Sequence, residues 1–365
     1  MTPATQARDE SYMARALELA ARGLYTTDPN PRVGCVLVKE GAVVGEGWHA
    51  RAGEAHAVVL ALRAAGQRAR GATAYVTLEP CGHTGRTPPC VEALIAAGIS
   101  RVACASIDPN PKVAGAGILG LERAGVAVTI GTLAGQARAL NPGFFSRFER
   151  SRPHVRLKQA MSLDGRTARS GGASGWISGA ESRADVQRLR ARSSAVLTGA
   201  GTVRVDDPRL NVRLDYAAWV RQPLRVVLDP TLSCRANSKI FREPGAALIF
   251  AAEDAPRGSG EAIEVQTVPK RGSGLNLSAV LEQLAAREVN ELLVECGPRL
   301  AAALLAENLV DEYLLYVAPL LLGADAAPLA QLTGIGAASG PEGLEIQEIR
   351  RMGTDARVTL IRKRP

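Results

Sequence analysis

Aromatic side chains make up only 4% of this 365-residue chain, so its cores must be built mainly from Ala, Val and Leu. Long apolar runs are also missing. The longest, Tyr313 to Leu322, contains Pro319 and falls well short of the roughly 20 residues that a bilayer-spanning helix needs. The first ten residues are polar and hold no apolar signal core. Basic runs are absent apart from Arg362-Lys363-Arg364, and the net charge of +8 is spread evenly. Residues 1–150 carry 16 basic and 12 acidic side chains, leaving 28 and 24 for the remainder, or about +4 in each part. Such an even excess suits anionic small molecules such as phosphates better than nucleic acid. The six cysteines are dispersed, and only Cys81 and Cys90 are closely spaced, which reads as reduced thiols. The expectation is a soluble cytoplasmic protein with no membrane or nucleic-acid partner.

Hydrophobic residues make up 46% of the chain, and its length points to two domains. Tyr12, Met13, Ala16, Leu17 and Ala20 recur at helical spacing over Asp9 to Arg22. Strands are predicted over Val33 to Lys39, Ala42 to His49, Thr73 to Leu78, Arg101 to Ser106 and Val126 to Ile130. Helices between them are predicted over His56 to Ala65, Cys90 to Ala97 and Gly117 to Ala124. This alternation predicts an α/β layered domain. The boundary falls in Asn141 to Pro153, which has two prolines, three aromatics and dense Arg. The expected domains are residues 1–146 and 147–365. In the second, strands are predicted over His154 to Ala160, Ala195 to Thr198, Leu224 to Leu228, Ala247 to Ala251, Glu291 to Glu295, Tyr313 to Pro319 and Ala356 to Ile361. Helices are predicted over Glu181 to Ala191, Ser278 to Arg287 and Arg299 to Glu307. A Gly-rich loop is expected after Thr198, and the most flexible loop over Pro256 to Gly274.

One constellation carries metal chemistry. His56, Cys81 and Cys90 would give zinc three soft ligands and leave one position for water. His56 and Cys90 each stand where a loop enters a helix, and the helix N-terminus favours a thiolate at Cys90. The plainer alternative is two ordinary thiols and a helix-capping histidine. Zinc deaminases carry H-x-E followed by P-C, with Glu as acid/base rather than ligand. Here the residue two after His56 is Val58. A second constellation is the strand ending at Glu295, then Cys296-Gly297-Pro298 and a helix. Small residues at a helix N-terminus form an anion site, though Gly297 and Pro298 also serve simply to start a helix. Gly199-Ala200-Gly201 lacks the third glycine of a dinucleotide-binding fingerprint.

Gly53-Glu54-Ala55-His56-Ala57, Asn30-Pro31-Arg32-Val33-Gly34, Thr77 to Cys90 and Asp108-Pro109-Asn110-Pro111 closely resemble the bifunctional riboflavin-biosynthesis deaminase/reductase family. Lys158, Ser162 to Thr167 and Asp206-Asp207-Pro208 extend the resemblance over nearly the whole chain. It implies a cytidine-deaminase-like three-layer domain followed by a dihydrofolate-reductase-like domain. The first would remove ammonia from a diaminopyrimidinone ribosylamine 5′-phosphate using zinc on His56, Cys81 and Cys90. The second would reduce the ribosyl chain to ribityl with NADPH, and the protein would be a homo-oligomer through this domain.

The resemblance also implies individual roles. Asn30 would contact the ribose or base, and His49, His83, Arg86 and Thr87 would approach the first pocket, although each is equally a loop hydrogen-bonder. Ala160, Trp176, Thr202, Asp206 and the run Gly297, Pro298, Arg299, Leu300, Ala301, Ala302 and Ala303 would contact NADPH. Lys158, Ser174, Arg190, Leu210, Arg213 and Glu295 would contact the sugar phosphate, with Lys158 or Glu295 bearing on the reductase proton. Val58 stands where the family has its proton-carrying Glu, so deamination is expected to be impaired and reduction intact. The alternatives are a bypassed Val58 in a fully bifunctional enzyme, or a non-catalytic protein that binds zinc and NADPH.

Overall fold

The structure is a computed structural model that describes residues 3–82, 89–168, 176–214, 220–256, 263–331 and 344–362. The chain divides into two compact units, Met1–Arg150 and Ser151–Pro365.

The first unit runs α1 (Pro3–Ala21), β1 (Gly34–Lys39), β2 (Ala42–Trp48), α2 (Ala57–Ala65), β3 (Thr73–Val76), α3 (Cys90–Ala96), β4 (Arg101–Cys104), α4 (Ala116–Arg123), β5 (Ala127–Ile130), α5 (Ala134–Leu140) and α6 (Pro142–Arg150). Its sheet has the order β2-β1-β3-β4-β5, with β1 antiparallel to both neighbours and β3, β4 and β5 parallel. Successive strand residues face opposite sides, and both sides are covered. Cys35, Leu37, Ala74, Val76 and Val102 bury with residues of α2, α3 and α4, whereas Val36, Val38, Tyr75 and Ala103 bury with Met13, Ala16 and Leu19 of α1. The result is a three-layer α/β/α domain.

Two glycines let α2 lie directly on β2. A Cβ at Gly47 would come within 2.4 Å of the Ala57 carbonyl oxygen, and one at Gly45 within 2.3 Å of that of Ala61. This contact fixes the height of the first turn of α2, and with it His56 and Val58.

The stretch in which the boundary was expected, Asn141 to Pro153, is largely the helix α6. Its aromatics explain this: Phe144 and Phe145 bury against Leu78, with Phe148 and Val33 beside them. The division between units is at Arg150/Ser151, directly after α6.

The second unit continues with β6 (His154–Ser162), β7 (Arg166–Ala168), α7 (Ala180–Arg192), β8 (Ala195–Gly199), α8 (Ala200–Asp206), β9 (Leu224–Leu228), α9 (Lys239–Arg242), β10 (Ala247–Ala252), β11 (Glu264–Val268), β12 (Lys270–Arg271), β13 (Gly274–Leu275) and α10 (Leu277–Ala286). Then come β14 (Glu291–Glu295), α11 (Pro298–Ala306), β15 (Glu312–Ala318), β16 (Ala327–Pro328), β17 (Leu344–Met352) and β18 (Asp355–Arg362). The main sheet has nine strands in the order β11-β10-β9-β8-β14-β6-β15-β18-β17. Strands β11 through β15 in that order are parallel, and β18 and β17 close the sheet antiparallel. One face buries Val155, Leu157, Leu197 and Val294 with residues of α10 and α11. The other buries Val196, Leu293, Leu314 and Tyr316 with Val186 and Leu189 of α7 and Val203 of α8.

Two sequence expectations are corrected here. The Gly-rich stretch after Thr198 forms α8, with Gly199 as its N-cap, because Ala200 and Val203 bury and carry the chain into a helical turn. The expected loop Pro256 to Gly274 contains β11 and β12, β11 being added parallel to β10. Residues 257–262 of that stretch lie outside the described residues.

Helix α7 has no side-chain cap of its own. Asp355 of β18 supplies one from across the fold, accepting from the Gly179 N–H at 2.7 Å and the Ser182 hydroxyl at 2.6 Å. Asp355→Ala is expected to destabilise this unit by about 1–2 kcal/mol, as a lost N-cap does. Urea unfolding followed by circular dichroism measures this.

Candidate functional site

The first site lies at the N-termini of α2 and α3. His56 is the N-cap residue of α2, and Cys90 is the first residue of α3. Cys81 follows β3 by way of Thr77 to Pro80. His56 Nδ1 is 3.3 Å from Cys90 Sγ and 3.6 Å from Cys81 Sγ, and the three ligand atoms lie within 4.8 Å of one another. Tetrahedral zinc with ordinary Zn–N and Zn–S bonds separates such ligand atoms by ~3.6 Å. The donor set and its spacing therefore fit that ion.

The Cys90 backbone N–H is directed at Cys81 Sγ, 3.5 Å away. Hydrogen bonding from Cys90 and His56 outweighs burial and pulls the Cys81 thiol down to about 4, whereas the neighbouring Cys81 and burial push Cys90 up. Between the two thiols the thiolate is favoured at Cys81 over Cys90, chiefly through the hydrogen bond from the Cys90 thiol, with His56 and the Cys90 amide adding to it.

Val58, in the first turn of α2, is 2% exposed and packs with Ala57, Ala61 and Cys90. Three carboxylates, Glu79, Glu54 and Asp108, stand in the neighbouring loops. Glu79 is buried and accepts four backbone N–H groups, from Asp108 at 3.1 Å, Gly115 at 3.0 Å, Gly117 at 2.9 Å and Ile118 at 3.3 Å. It anchors the start of α4, where Gly117 comes so close that a Cβ would lie 2.0 Å from the Pro80 carbonyl oxygen. Glu54 is exposed and sits 3.7 Å from Arg51. Asp108 is buried and accepts the Asn110 N–H at 2.8 Å. Burial, with the charges of Glu79 and Cys81, raises its carboxyl to about 6.

The imidazole of His49 stands 5.4 Å from that of His56. Its Nδ1 is 3.2 Å from the Ala55 carbonyl and its Nε2 is 3.1 Å from Asn30 Nδ2, which makes Nδ1 the protonated nitrogen. Burial holds its pKa below the ordinary value. Asn30 and His49 are thus brought to the metal site together. His83, Arg86 and Thr87 lie outside the described residues.

The second site lies at the carboxyl ends of β6, β14 and β8, the usual place for ligands in a parallel sheet. Lys158 and Glu295 are register partners on β6 and β14. Glu295 accepts a bidentate pair from Arg190 of α7, Nε at 2.6 Å and Nη2 at 2.9 Å. Lys158 Nζ sits 5.5 Å over the Tyr316 ring, whose hydroxyl donates to Asp185 at 2.7 Å. Burial lowers the Lys158 pKa, against the charge of Glu295. Burial would raise Glu295, but Arg190, Lys158 and Arg213 outweigh it and hold this carboxylate ionised. Arg213 is pulled below its usual value by burial and by Arg190 and Arg209.

Leu210 is buried at positive φ (+52°), and it turns the chain so that Asn211 and Arg213 reach this cluster. Four cations (Lys158, Arg190, Arg209, Arg213) face two carboxylates (Glu295, Glu243), an excess of two positive charges when Lys158 is protonated. Ser174 lies outside the described residues.

The residues read as cofactor contacts are distributed over α8, α11, β6 and the residues before α7. Gly199 and Gly297 are the N-caps of α8 and α11, at the ends of adjacent strands. A Cβ on Gly297 would lie 3.8 Å from Thr202 Oγ1, and one on Gly199 would lie 3.5 Å from Leu300 Cδ2. Two helix N-termini with little side-chain bulk thus meet, which fits a pyrophosphate. Arg299 is exposed, whereas Ala301 and Ala302 are buried and hold α11 to the sheet, with Ala303 partly buried. Ala160 is the register partner of Tyr316. Asp206, at the end of α8, is exposed. Trp176 is 76% exposed with Arg183 5.0 Å over its ring, so it is no core residue. Asn211, Glu243 and Tyr316 border the cluster without having been singled out in the sequence. Asn211 had a local signal, lying between Leu210 and Arg213. Glu243 and Tyr316 are brought in by tertiary contacts alone.

The fold and the two sites define a protein class: a zinc-deaminase-type domain followed by a reductase-type domain. Residues 6–106 match the cytidine and deoxycytidylate deaminase zinc-binding region, and residues 153–358 match the RibD C-terminal domain. The chain is 46% identical to the riboflavin biosynthesis protein RibD of Escherichia coli K12, covering 97% of this chain and 99% of that one. Acinetobacter baumannii RibD superposes with a TM-score of 0.91 at 42% identity, covering 98% of this chain and all of that one. A Thermotoga maritima diaminohydroxyphosphoribosylaminopyrimidine deaminase/5-amino-6-(5-phosphoribosylamino)uracil reductase superposes with a TM-score of 0.86 at 32% identity, covering 98% and 99% of the two chains. The chain belongs to the bifunctional riboflavin-biosynthesis deaminase/reductase family. No described helix is long and apolar enough to cross a membrane.

Proposed function

We propose that this chain reduces 5-amino-6-(5-phosphoribosylamino)uracil with NADPH, and that its deaminase domain holds zinc but releases little or no ammonia. The observation that carries the second part is Val58, a buried aliphatic side chain beside a three-donor metal cradle. His56, Cys81 and Cys90 would hold the ion, which supplies an activated water near neutral pH. Deamination further needs a group that takes a proton from that water and delivers it to the ring nitrogen and the leaving ammonia. Valine does neither, Glu79 has its oxygens occupied by four amides, and Glu54 points to Arg51 and solvent. Asn30 and His49, beside the donors, would bind the ribosyl-pyrimidine.

In the reductase domain, Arg190 and Arg213 would bind the substrate phosphate, whose charge of about −1.5 to −2 balances the cationic excess. The nicotinamide, when bound, supplies the hydride. The helix starts at Gly199 and Gly297 and the Thr202 hydroxyl would hold its phosphates. Trp176, Ala160, Asp206 and the run from Pro298 to Ala303 would line its remaining length. Reduction at the sugar C1′ leaves the ring oxygen needing a proton. Of the two candidates, Glu295 is held ionised by Arg190, so Lys158 is the donor, and burial tunes its pKa downward for that task.

Cys90→Ser is expected to drop bound zinc from about one per chain to near zero while NADPH oxidation with the deaminated substrate persists. Metal analysis of the purified variant, alongside the oxidation assay, checks both halves of this statement.

A further inference from the structure

Asn211 is 7% exposed and makes three polar contacts that bear on the cationic cluster. Its side-chain Oδ1 accepts from Arg213 Nη1 at 2.5 Å. Its backbone carbonyl accepts from Arg190 Nη1 at 3.1 Å. Its Nδ2 donates to Glu243 Oε2 at 2.6 Å, while the other Glu243 oxygen lies 3.2 Å from Arg209 Nε. One residue thus touches both guanidinium groups assigned to the phosphate and is itself held by a carboxylate from another part of the chain.

The surrounding backbone is fixed with equal care. Gln222 pairs with Val212 on both its N–H, at 2.8 Å, and its carbonyl, at 3.0 Å. Gln187 of α7 accepts the Arg213 N–H at 2.8 Å. Arg213 therefore has its backbone pinned by α7 and its guanidinium aimed by Asn211. Left alone, the Arg213 guanidinium beside Arg190 and Arg209 would be driven outward by like-charge repulsion. The Asn211 oxygen offers a neutral anchor that resists this without neutralising the charge, as a carboxylate there would.

We infer that Asn211 is a positioning residue for phosphate selectivity, setting the spacing of Arg190 and Arg213 and itself oriented by Glu243. The inference rests on the reading that these two arginines receive the substrate's phosphate. Asn211 takes no part in hydride or proton transfer, so its loss should weaken phosphate recognition and leave the chemical step alone.

The test compares 5-amino-6-(5-phosphoribosylamino)uracil with its dephosphorylated counterpart, in wild type, Asn211→Ala, Asn211→Asp and Arg213→Gln. Asn211→Ala is expected to raise KM for the phosphorylated substrate about tenfold or more, the worth of a hydrogen bond to a charged group. Its kcat, its KM for NADPH and its kinetics with the dephosphorylated substrate should stay within about twofold of wild type. Asn211→Asp keeps the shape and guards against a folding defect. Its added charge opposes phosphate and faces Glu243, so selectivity should fall there too. If Arg213→Gln loses phosphate selectivity while both Asn211 variants keep it, the inference is wrong and the phosphate reading stands. If Arg213→Gln also keeps it, the phosphate reading itself is wrong. An equal loss with both substrates in the Asn211 variants would make Asn211 merely structural and also overturn the inference.

Discussion

Val58→Glu is expected to raise ammonia release from the undeaminated substrate by ~10²–10⁴, the usual worth of a positioned acid/base group. The expectation follows from how much of the hydrolytic site is already in place. The three candidate metal donors lie within 4.8 Å of one another, and Asn30 and His49 stand beside them. Position 58 occupies the first turn of α2, and α2 is held at a fixed height by Gly45 and Gly47. A carboxylate there would enter beside His56 and Cys90 rather than elsewhere. Because Val58 is buried, Glu without bound metal carries a desolvation cost, so the variant should be markedly more stable with zinc than after chelation. A Val58→Gln control has the same length and no titratable proton. It should stay near the unmodified rate. Equal gains for Glu and Gln would mean that shape rather than proton transfer limits the reaction.

Lys158→Met is expected to lower kcat for NADPH oxidation by ~10²–10⁴ while KM for NADPH changes little. The side chain lies against Tyr316 beside Glu295, and burial makes its ammonium a readier donor than an exposed lysine. The donor must be protonated, so the rate should hold at low pH and fall as pH rises through the lowered Lys158 pKa. The charge of Glu295 raises that pKa, whereas Arg190 lowers it. Glu295→Gln should therefore move the alkaline limb of the rate profile to lower pH. It also leaves Arg190 without its buried partner, and removing one member of such a pair costs about 3–5 kcal/mol of stability. The pH profile separates the two effects, since lost stability alone does not shift the limb. An unchanged kcat for Lys158→Met would pass the proton role to another group.

The three-layer architecture was legible because its strands are apolar runs bounded by turns, and because its glycines stop helices where periodicity ends. Residues 1–150 show how far local pattern reaches: His56 and Cys90 at helix starts follow from the loop-to-helix transition alone. The second unit was less open. Helix α8 was hidden because Gly199-Ala200-Gly201 reads as a loop, and only burial of Ala200 and Val203 makes it a helix. Helix α6 was hidden by Pro142 and its arginines, although Phe144 and Phe145 bury one face with Phe148 beside them. Strand β17 is exposed along most of its length and carries no regular alternation to betray it.

The sites divide in the same way. Residues assigned through the family resemblance, such as Lys158, Glu295 and Arg190, fall together on one face of the sheet. What the sequence could not show is the support behind them. The four amides that occupy Glu79, the Asp355 cap on α7 and the Asn211 bridge join segments far apart in the chain.

The most direct test of the account gives the unaltered, zinc-loaded chain each substrate separately and follows ammonia and NADPH together. The account predicts NADPH oxidation with 5-amino-6-(5-phosphoribosylamino)uracil and little or no ammonia from the diaminopyrimidinone ribosylamine 5′-phosphate. Ammonia released from the latter at an ordinary enzymatic rate, roughly 1 s⁻¹ or faster, would contradict it.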